Sequence, residues 1–245
     1  TNLLLGALKM GGVGPVGAAR PPNYNNLFYL FQAYQPKASI FNPYAIRWIM
    51  DNILSRLMSD GPGRRIFTPV LSWSSYLVAF MHSSSYNEYV GTDVMPSVCQ
   101  KTSDLATYYD KAKAVKIFCH PSETIGELPE FQKYDAYFDT VLMCPPYFDM
   151  EVYHEGQQST SSYPDYHTWL REYWGRTVKT GMWSLRAGGI FAFIANEFHT
   201  LDGTHYDLPA HLNMAFKSYR VEGPYIFYLQ NRTSPLRVNS KDRTE

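Results

Sequence analysis

Two hydrophobic periods take turns along this chain. From 43 to 57, Ile46, Ile49, Met50, Ile53, Leu54 and Leu57 recur at helical spacing and predict one apolar helix face. Asn42 stands where an N-cap belongs and Pro43 suits the first turn. Asp60-Gly61-Pro62-Gly63 ends that helix. The period then shortens. Residues 64–71, 86–93, 114–119 and the run from Phe138 to the Pro-Pro pair read as strands, with a fifth at 190–195. Between them, 73–81, 96–110, a short stretch up to 134 and a long segment at 166–185 read as helical, the last stopped by 186–189. A further helix is expected at 208–217, and closing strands at 220–230 and 236–238. Strands alternating with helices predict an α/β fold with a doubly wound, mainly parallel sheet and right-handed crossovers.

The fourth strand organises the rest. Phe138-Asp139-Thr140-Val141-Leu142-Met143-Cys144 breaks into Pro145-Pro146-Tyr147, and neither proline can donate to a ladder. Three other features fall at strand ends in the same order. They are the turn Leu71-Ser72-Trp73-Ser74, the acid Asp93, and Pro121-Ser122-Glu123. A parallel sheet brings all four to its carboxyl edge, where ligands bind in open α/β folds. Taken singly, Asp93 and Ser122 read as helix caps and Pro-Pro-Tyr as a turn; their ordered recurrence is the signal.

Composition narrows the reading. Lys+Arg and Asp+Glu are both 22, so there is no basic excess of the kind an autonomous DNA binder carries. The 20 tyrosines favour stacking surfaces or a tyrosine-rich core and rim. Cys99, Cys119 and Cys144 are scattered and form no C-x-x-C, which predicts reduced thiols in an intracellular setting, with neither a disulfide framework nor a metal site. No apolar run is long enough for a membrane helix. The chain opens on Thr1, which implies processing or a start inside a longer protein. Residues 1–40, with the glycine-rich run at 11–17, read as an N-terminal arm, with an apolar, aromatic segment at 27–34. Residues 41–245 read as one domain.

At this point the chain resembles the S-adenosylmethionine-dependent amino-methyltransferases, which methylate the exocyclic amine of adenine or cytosine, mostly in DNA. The resemblance covers about residues 41–230. Its most specific part is Cys144-Pro145-Pro146-Tyr147-Phe148-Asp149, followed by Gln158-Ser159, Tyr163-Pro164-Asp165-Tyr166 and Trp169. Phe41-Asn42-Pro43 and Tyr89-Val90-Gly91-Thr92-Asp93 resemble the family's motifs before the first strand and in the second, and the motif order matches the gamma arrangement. The resemblance implies a seven-stranded Rossmann-like methyltransferase sheet with S-adenosylmethionine as cofactor. It implies that Cys144, Pro145 and Pro146 engage the amine and Tyr147 stacks on a flipped base. Asp93 would hold ribose hydroxyls and Ser122 would lie near the adenine. Phe41 and Pro43 would contact the methionine end, and Thr68, Pro69 and Ser72 would form the cofactor turn.

Four positions depart from the family's pattern. Cys144 stands where Asp, Asn or Ser is usual, Thr68 replaces an acid, and Ser72 and Ser74 replace glycines. These support an alternative, a catalytically degenerate methyltransferase-like subunit with a structural or binding role in a larger assembly. Under either reading nucleic acid is an expected partner, DNA ahead of RNA, together with a protein that supplies target recognition. There is no Walker loop, G-x-G-x-x-G or nucleophile elbow to suggest another nucleotide enzyme.

Overall fold

The computed structural model describes residues 41–58, 63–109, 113–148, 162–199 and 204–226. The expected N-terminal arm and the final strand at 236–238 lie outside the described residues, as does the segment 149–161. The contacts divide the chain into two units, residues 40–221, and residues 1–39 together with 222–245. The first unit holds the whole sheet. Of the second, residues 222–226 are described and carry neither helix nor strand.

Asn42 caps the first helix, as its Oδ1 accepts from the Tyr44 amide at 2.9 Å. This helix, α1, runs over 43–57 and widens to π-helical turns at Met50–Leu54. Strand β1 is Arg64–Thr68, α2 Ser75–His82, β2 Tyr86–Asp93, α3 Pro96–Thr107 and β3 Ala114–Cys119. Two short 3-10 turns, Ile125–Glu127 and Gln132–Tyr134, lead to β4, Phe138–Met143. The long helix α4 spans 166–184, with π-helical turns at Trp169–Trp174. Strand β5 is Leu185–Phe193. A two-stranded antiparallel ribbon follows, of β6 Phe198–His199 and β7 His205–Tyr206. Helix α5, Leu208–Asn213, continues as a 3-10 turn to Phe216.

The five long strands form one parallel sheet in the order β3-β2-β1-β4-β5. Successive side chains point to opposite faces, and the core divides accordingly. Ile66, Tyr89 and Leu142 pack with α1, α2 and α3 on one side; Phe67, Val90 and Val141 face Phe131, Tyr134 and Phe138 on the other. A third cluster gathers Trp169, Tyr173 and Trp174 of α4 with Leu208 and Leu212 of α5. Because β2 and β3 build outward on one side of β1 and β4 and β5 on the other, the strand order reverses between β1 and β4. That reversal opens a crevice at the carboxyl ends of these two strands.

The strands differ from their sequence reading in places. β1 stops at Thr68, three residues early, because Pro69 has no amide to donate. β5 starts at Leu185 and runs through the glycines read as a stop. Gly189 is there for closeness: a Cβ would lie 2.9 Å from Leu185 Cδ2 and 3.2 Å from the Asp139 carbonyl oxygen. The described part of the expected strand at 220–230 carries no strand. Of the seven strands expected in one sheet, five are found there among the described residues, and the β6–β7 ribbon stands apart.

Candidate active site at the carboxyl edge

The four strand-end features do meet at this edge. At the end of β1, Thr68 is fully buried and its hydroxyl lies 2.6 Å from the Tyr89 hydroxyl of β2. Pro69 is buried beside it. The chain then turns through three consecutive left-handed residues, Ser72 (φ 46°), Trp73 (φ 54°) and Ser74 (φ 70°). A side chain in this region costs about 1–2 kcal/mol per residue, so glycine is the usual occupant. The turn persists because it is tied down. Ser75 N donates to the Ser72 carbonyl at 3.0 Å, and the Ser74 hydroxyl is 2.7 Å from that of Thr102 on α3.

Asp93 at the end of β2 serves as a clamp between strands. Its Oδ2 accepts from the Leu71 amide at 3.3 Å and its Oδ1 from the Met95 amide at 3.0 Å. Its backbone carbonyl accepts from His120 N at 2.9 Å, which joins the end of β3. Gly91, two residues earlier, permits the close approach of this turn; a Cβ there would fall 2.6 Å from Leu71 Cδ2. A carboxylate is the kind of group that can accept from two neighbouring hydroxyls of a ligand.

Across the reversal point, β4 ends at Met143, whose carbonyl accepts from Ile194 N at 2.9 Å. Cys144 is half-buried, Pro145 buried, and Pro146 and Tyr147 half-buried. The Asn196 amide donates to the Tyr147 hydroxyl at 2.7 Å, and the Tyr147 ring rests against Phe198, centroids 5.4 Å apart. The aromatic ring thus has a fixed orientation at the rim. Tyr76 of α2 links this corner to the β1 turn. Burial first, and the neighbouring Cys144 second, push its phenol well above the ordinary range. A hydrogen bond with the Cys144 backbone offsets part of that rise.

Ser122 after β3 is placed differently. It is buried and reaches the Thr177 hydroxyl of α4 at 3.1 Å, under the second face of the sheet. Beside it, Glu123 accepts from the Tyr163 hydroxyl at 3.0 Å. Burial and then Glu123 raise the Tyr163 phenol. Tyr173 of α4 is buried near Ser122, Glu123 and Asp93, with its hydroxyl beside Ser122. Phe41 packs at the margin of the α1–α3 core, and Pro43 opens α1.

Glu123 stands in the strand-end feature that the sequence marks, whereas Tyr76, Tyr173 and Asn196 are not marked by it; the tyrosines are two among 20 with no local signal. The Asp93 carboxylate at the end of β2 suits the ribose hydroxyls in the nucleoside part of S-adenosylmethionine. At the end of β1, Thr68 has neither a negative charge nor a spare hydroxyl for an ammonium group. Among the described residues there is no group of three or more His, Cys, Asp or Glu side chains suited to a metal ion, and no helix long and apolar enough to cross a membrane.

No protein-family model matches the chain, and no curated protein matches it in sequence. Among solved structures it is similar to the [4+2]-cyclase SpnF, at 14% identity over 75% of this chain and 60% of that one, with a TM-score of 0.44. It is similar to NSun6 from Pyrococcus horikoshii with SFG, at 14% identity over 57% of this chain and 34% of that one, TM-score 0.39. A methyltransferase homolog protein from Pyrococcus horikoshii is 18% identical over 64% of this chain and 43% of that one, TM-score 0.37. The chain thus spans 60% or less of the length of these structures. Likeness at this level concerns the general course of the backbone and leaves the side chains of the site to be read from this chain alone.

Proposed function

We propose that this chain is an S-adenosylmethionine-dependent methyltransferase acting on an exocyclic amine of adenine or cytosine in nucleic acid, DNA ahead of RNA. The observation that carries the reading is the meeting of Asp93 and the Cys144-Pro145-Pro146-Tyr147 corner at the reversal point of one parallel sheet. The cofactor supplies an electrophilic methyl group on sulfur; the remaining work falls to the chain. Asp93 accepts from vicinal hydroxyls of the nucleoside. The Pro145 carbonyl, held rigid by the proline pair, accepts an N–H of the amine and draws its lone pair out of the base. Tyr147 presents its pinned ring to the base face. Cys144 adds only a weak sulfur acceptor, so rate enhancement rests on positioning more than on proton transfer. The zero net charge supports a protein partner that carries the phosphate contacts.

Calorimetry with S-adenosylmethionine and S-adenosylhomocysteine tests the cofactor, followed by transfer of labelled methyl to DNA and RNA. Binding with transfer to adenine or cytosine is the expected outcome; no heat at millimolar ligand overturns the reading. A second reading is favoured by one specific contact. The Thr68 hydroxyl is committed to Tyr89 inside the core, where an active site of this type would keep an acid. A non-catalytic, methyltransferase-like subunit of an assembly would bind the nucleoside without transferring methyl to either nucleic acid.

A further inference from the structure

Behind Asp93 two thiols face one another. Cys99 lies in α3 and is buried, with its Sγ 3.3 Å from the Asp93 carbonyl oxygen and 3.6 Å from that of Phe118. The Phe118 carbonyl belongs to the peptide unit that leads into Cys119. Asp93 and Cys119 are themselves register partners across β2 and β3. Alternation along β3 fixes the side of Cys119. Val115 and Ile117 pack against the cluster that holds Cys99, while Phe118 packs on the other face. Cys119, two residues beyond Ile117, therefore points to the α3 side. Both thiols are free, and Cys119 is exposed. Burial first, and the Cys119 thiol next, push the Cys99 thiol up to about 12, which keeps it protonated and bound to the Asp93 carbonyl in the resting state.

We propose that Cys99 and Cys119 form a peroxide-sensitive thiol pair that closes reversibly into a disulfide behind the Asp93 strand end. Cys119, the exposed partner, reacts first. Its thiol gives up its proton, the sulfur attacks one oxygen of the peroxide, the O–O bond breaks, hydroxide leaves with that proton as water, and a sulfenic acid remains. The Cys99 sulfur then attacks the Cys119 sulfur, the S–OH bond breaks, and the Cys99 proton leaves with hydroxide as a second water. Two thiols give up two electrons in total, and one peroxide takes them. Closure removes the S–H donor from the Asp93 carbonyl, which also accepts from His120 N. Cys144 sits two strands away, at the end of β4, and takes no part.

The test is peptide mapping by mass spectrometry of the whole chain, after hydrogen peroxide and without reductant. The expected product is a crosslink between the Cys99 and Cys119 peptides, reversed by dithiothreitol, with Cys144 still alkylated as a free thiol. Cys144→Ser should leave the crosslink unchanged, and Cys119→Ser should leave Cys99 reduced at the same peroxide dose. Over-oxidation of Cys119 with Cys99 still reduced overturns the proposal, as does a crosslink through Cys144.

Discussion

The two ends of the same strands are built on opposite terms. At the amino end, the Asp139 carboxylate of β4 accepts from the Arg65 amide at 2.8 Å, from Arg65 Nε at 3.1 Å and from Arg186 Nε at 2.5 Å. The Arg65 guanidinium lies 4.4 Å over the Tyr137 ring, and the Tyr137 hydroxyl donates to Glu88 at 2.7 Å. Four strands are stitched together there by side chains that answer one another. At the carboxyl end, β1 leads into three left-handed residues, Ser72, Trp73 and Ser74. Backbone strain of this kind clusters at ligand sites.

The amino end should therefore govern stability and little else. Asp139→Ala strands two arginine side chains against a buried site, and we expect a loss of about 3 kcal/mol in urea unfolding, with ligand affinity per folded molecule unchanged. A loss below about 1 kcal/mol would erase the contrast between the ends. The pH dependence points the same way. Burial on its own would raise the Asp139 pKa, but the bonds from Arg186 and Arg65 outweigh it and hold the carboxyl below the usual range. A lowered folded value means that the stabilisation is complete above the unfolded pKa of about 3.9 and fades as pH falls toward the folded one. Asp139→Asn should flatten that acid slope when urea midpoints at pH 6 and pH 3 are compared.

The carboxyl end should show the reverse pattern. Tyr147→Ala removes the ring proposed to stack on the base, worth about 1–3 kcal/mol, so methyl transfer should fall at least about tenfold. Cofactor affinity and unfolding midpoint should move little, because the half-buried ring contacts Phe198 at the rim. Unchanged transfer would remove Tyr147 from the site. Tyr76→Phe sharpens the comparison further. A hydroxyl hydrogen bond is worth about 1 kcal/mol, so its removal should shift the unfolding midpoint by no more than that while weakening nucleoside binding measured by calorimetry. If the variant is destabilised and binds normally, Tyr76 belongs to the core and the end-to-end contrast loses one of its supports.

What could be read in advance follows from how local each signal is. Strands 86–93 and 114–119 were read to the residue, since each is an apolar or β-branched run bounded by turn residues and an acid or His-Pro. Asn42 declared its cap through Pro43. The start of β5 was misread because glycines at 188–189 resemble a stop, whereas the close approach of Leu185 and the Asp139 carbonyl demands one of them. The π-helical turns in α1 and α4 leave the apolar pattern near its usual helical period, and the two-residue strands of the β6–β7 ribbon are too short to show a period at all. At the site, Asp93 and the Pro-Pro-Tyr corner were legible because strand ends mark them. Ser122 was legible as a residue but not as one turned toward α4. The destination of Thr68 depends on Tyr89, 21 residues away on another strand, and no local pattern reports it.

The smallest effect bears on why the turn after β1 keeps its shape. Ser72 holds φ 46° without glycine, so Ser72→Gly should relieve left-handed strain of about 1–2 kcal/mol. The added freedom of the unfolded chain returns part of that gain, about 0.4–1 kcal/mol. The net expectation is a stabilisation of about 0.5 kcal/mol, read from urea midpoints. Ser74→Gly relieves similar strain but also deletes the 2.7 Å contact with Thr102, worth about 1 kcal/mol, so its midpoint should stay near that of the parent chain. The difference between the two serines is the informative quantity. Equal gains would mean that the Thr102 contact does not hold the turn. A clear loss at Ser72 would mean that its side chain stabilises the turn, and the strain assigned to the carboxyl edge would then rest on Trp73 and Ser74 alone.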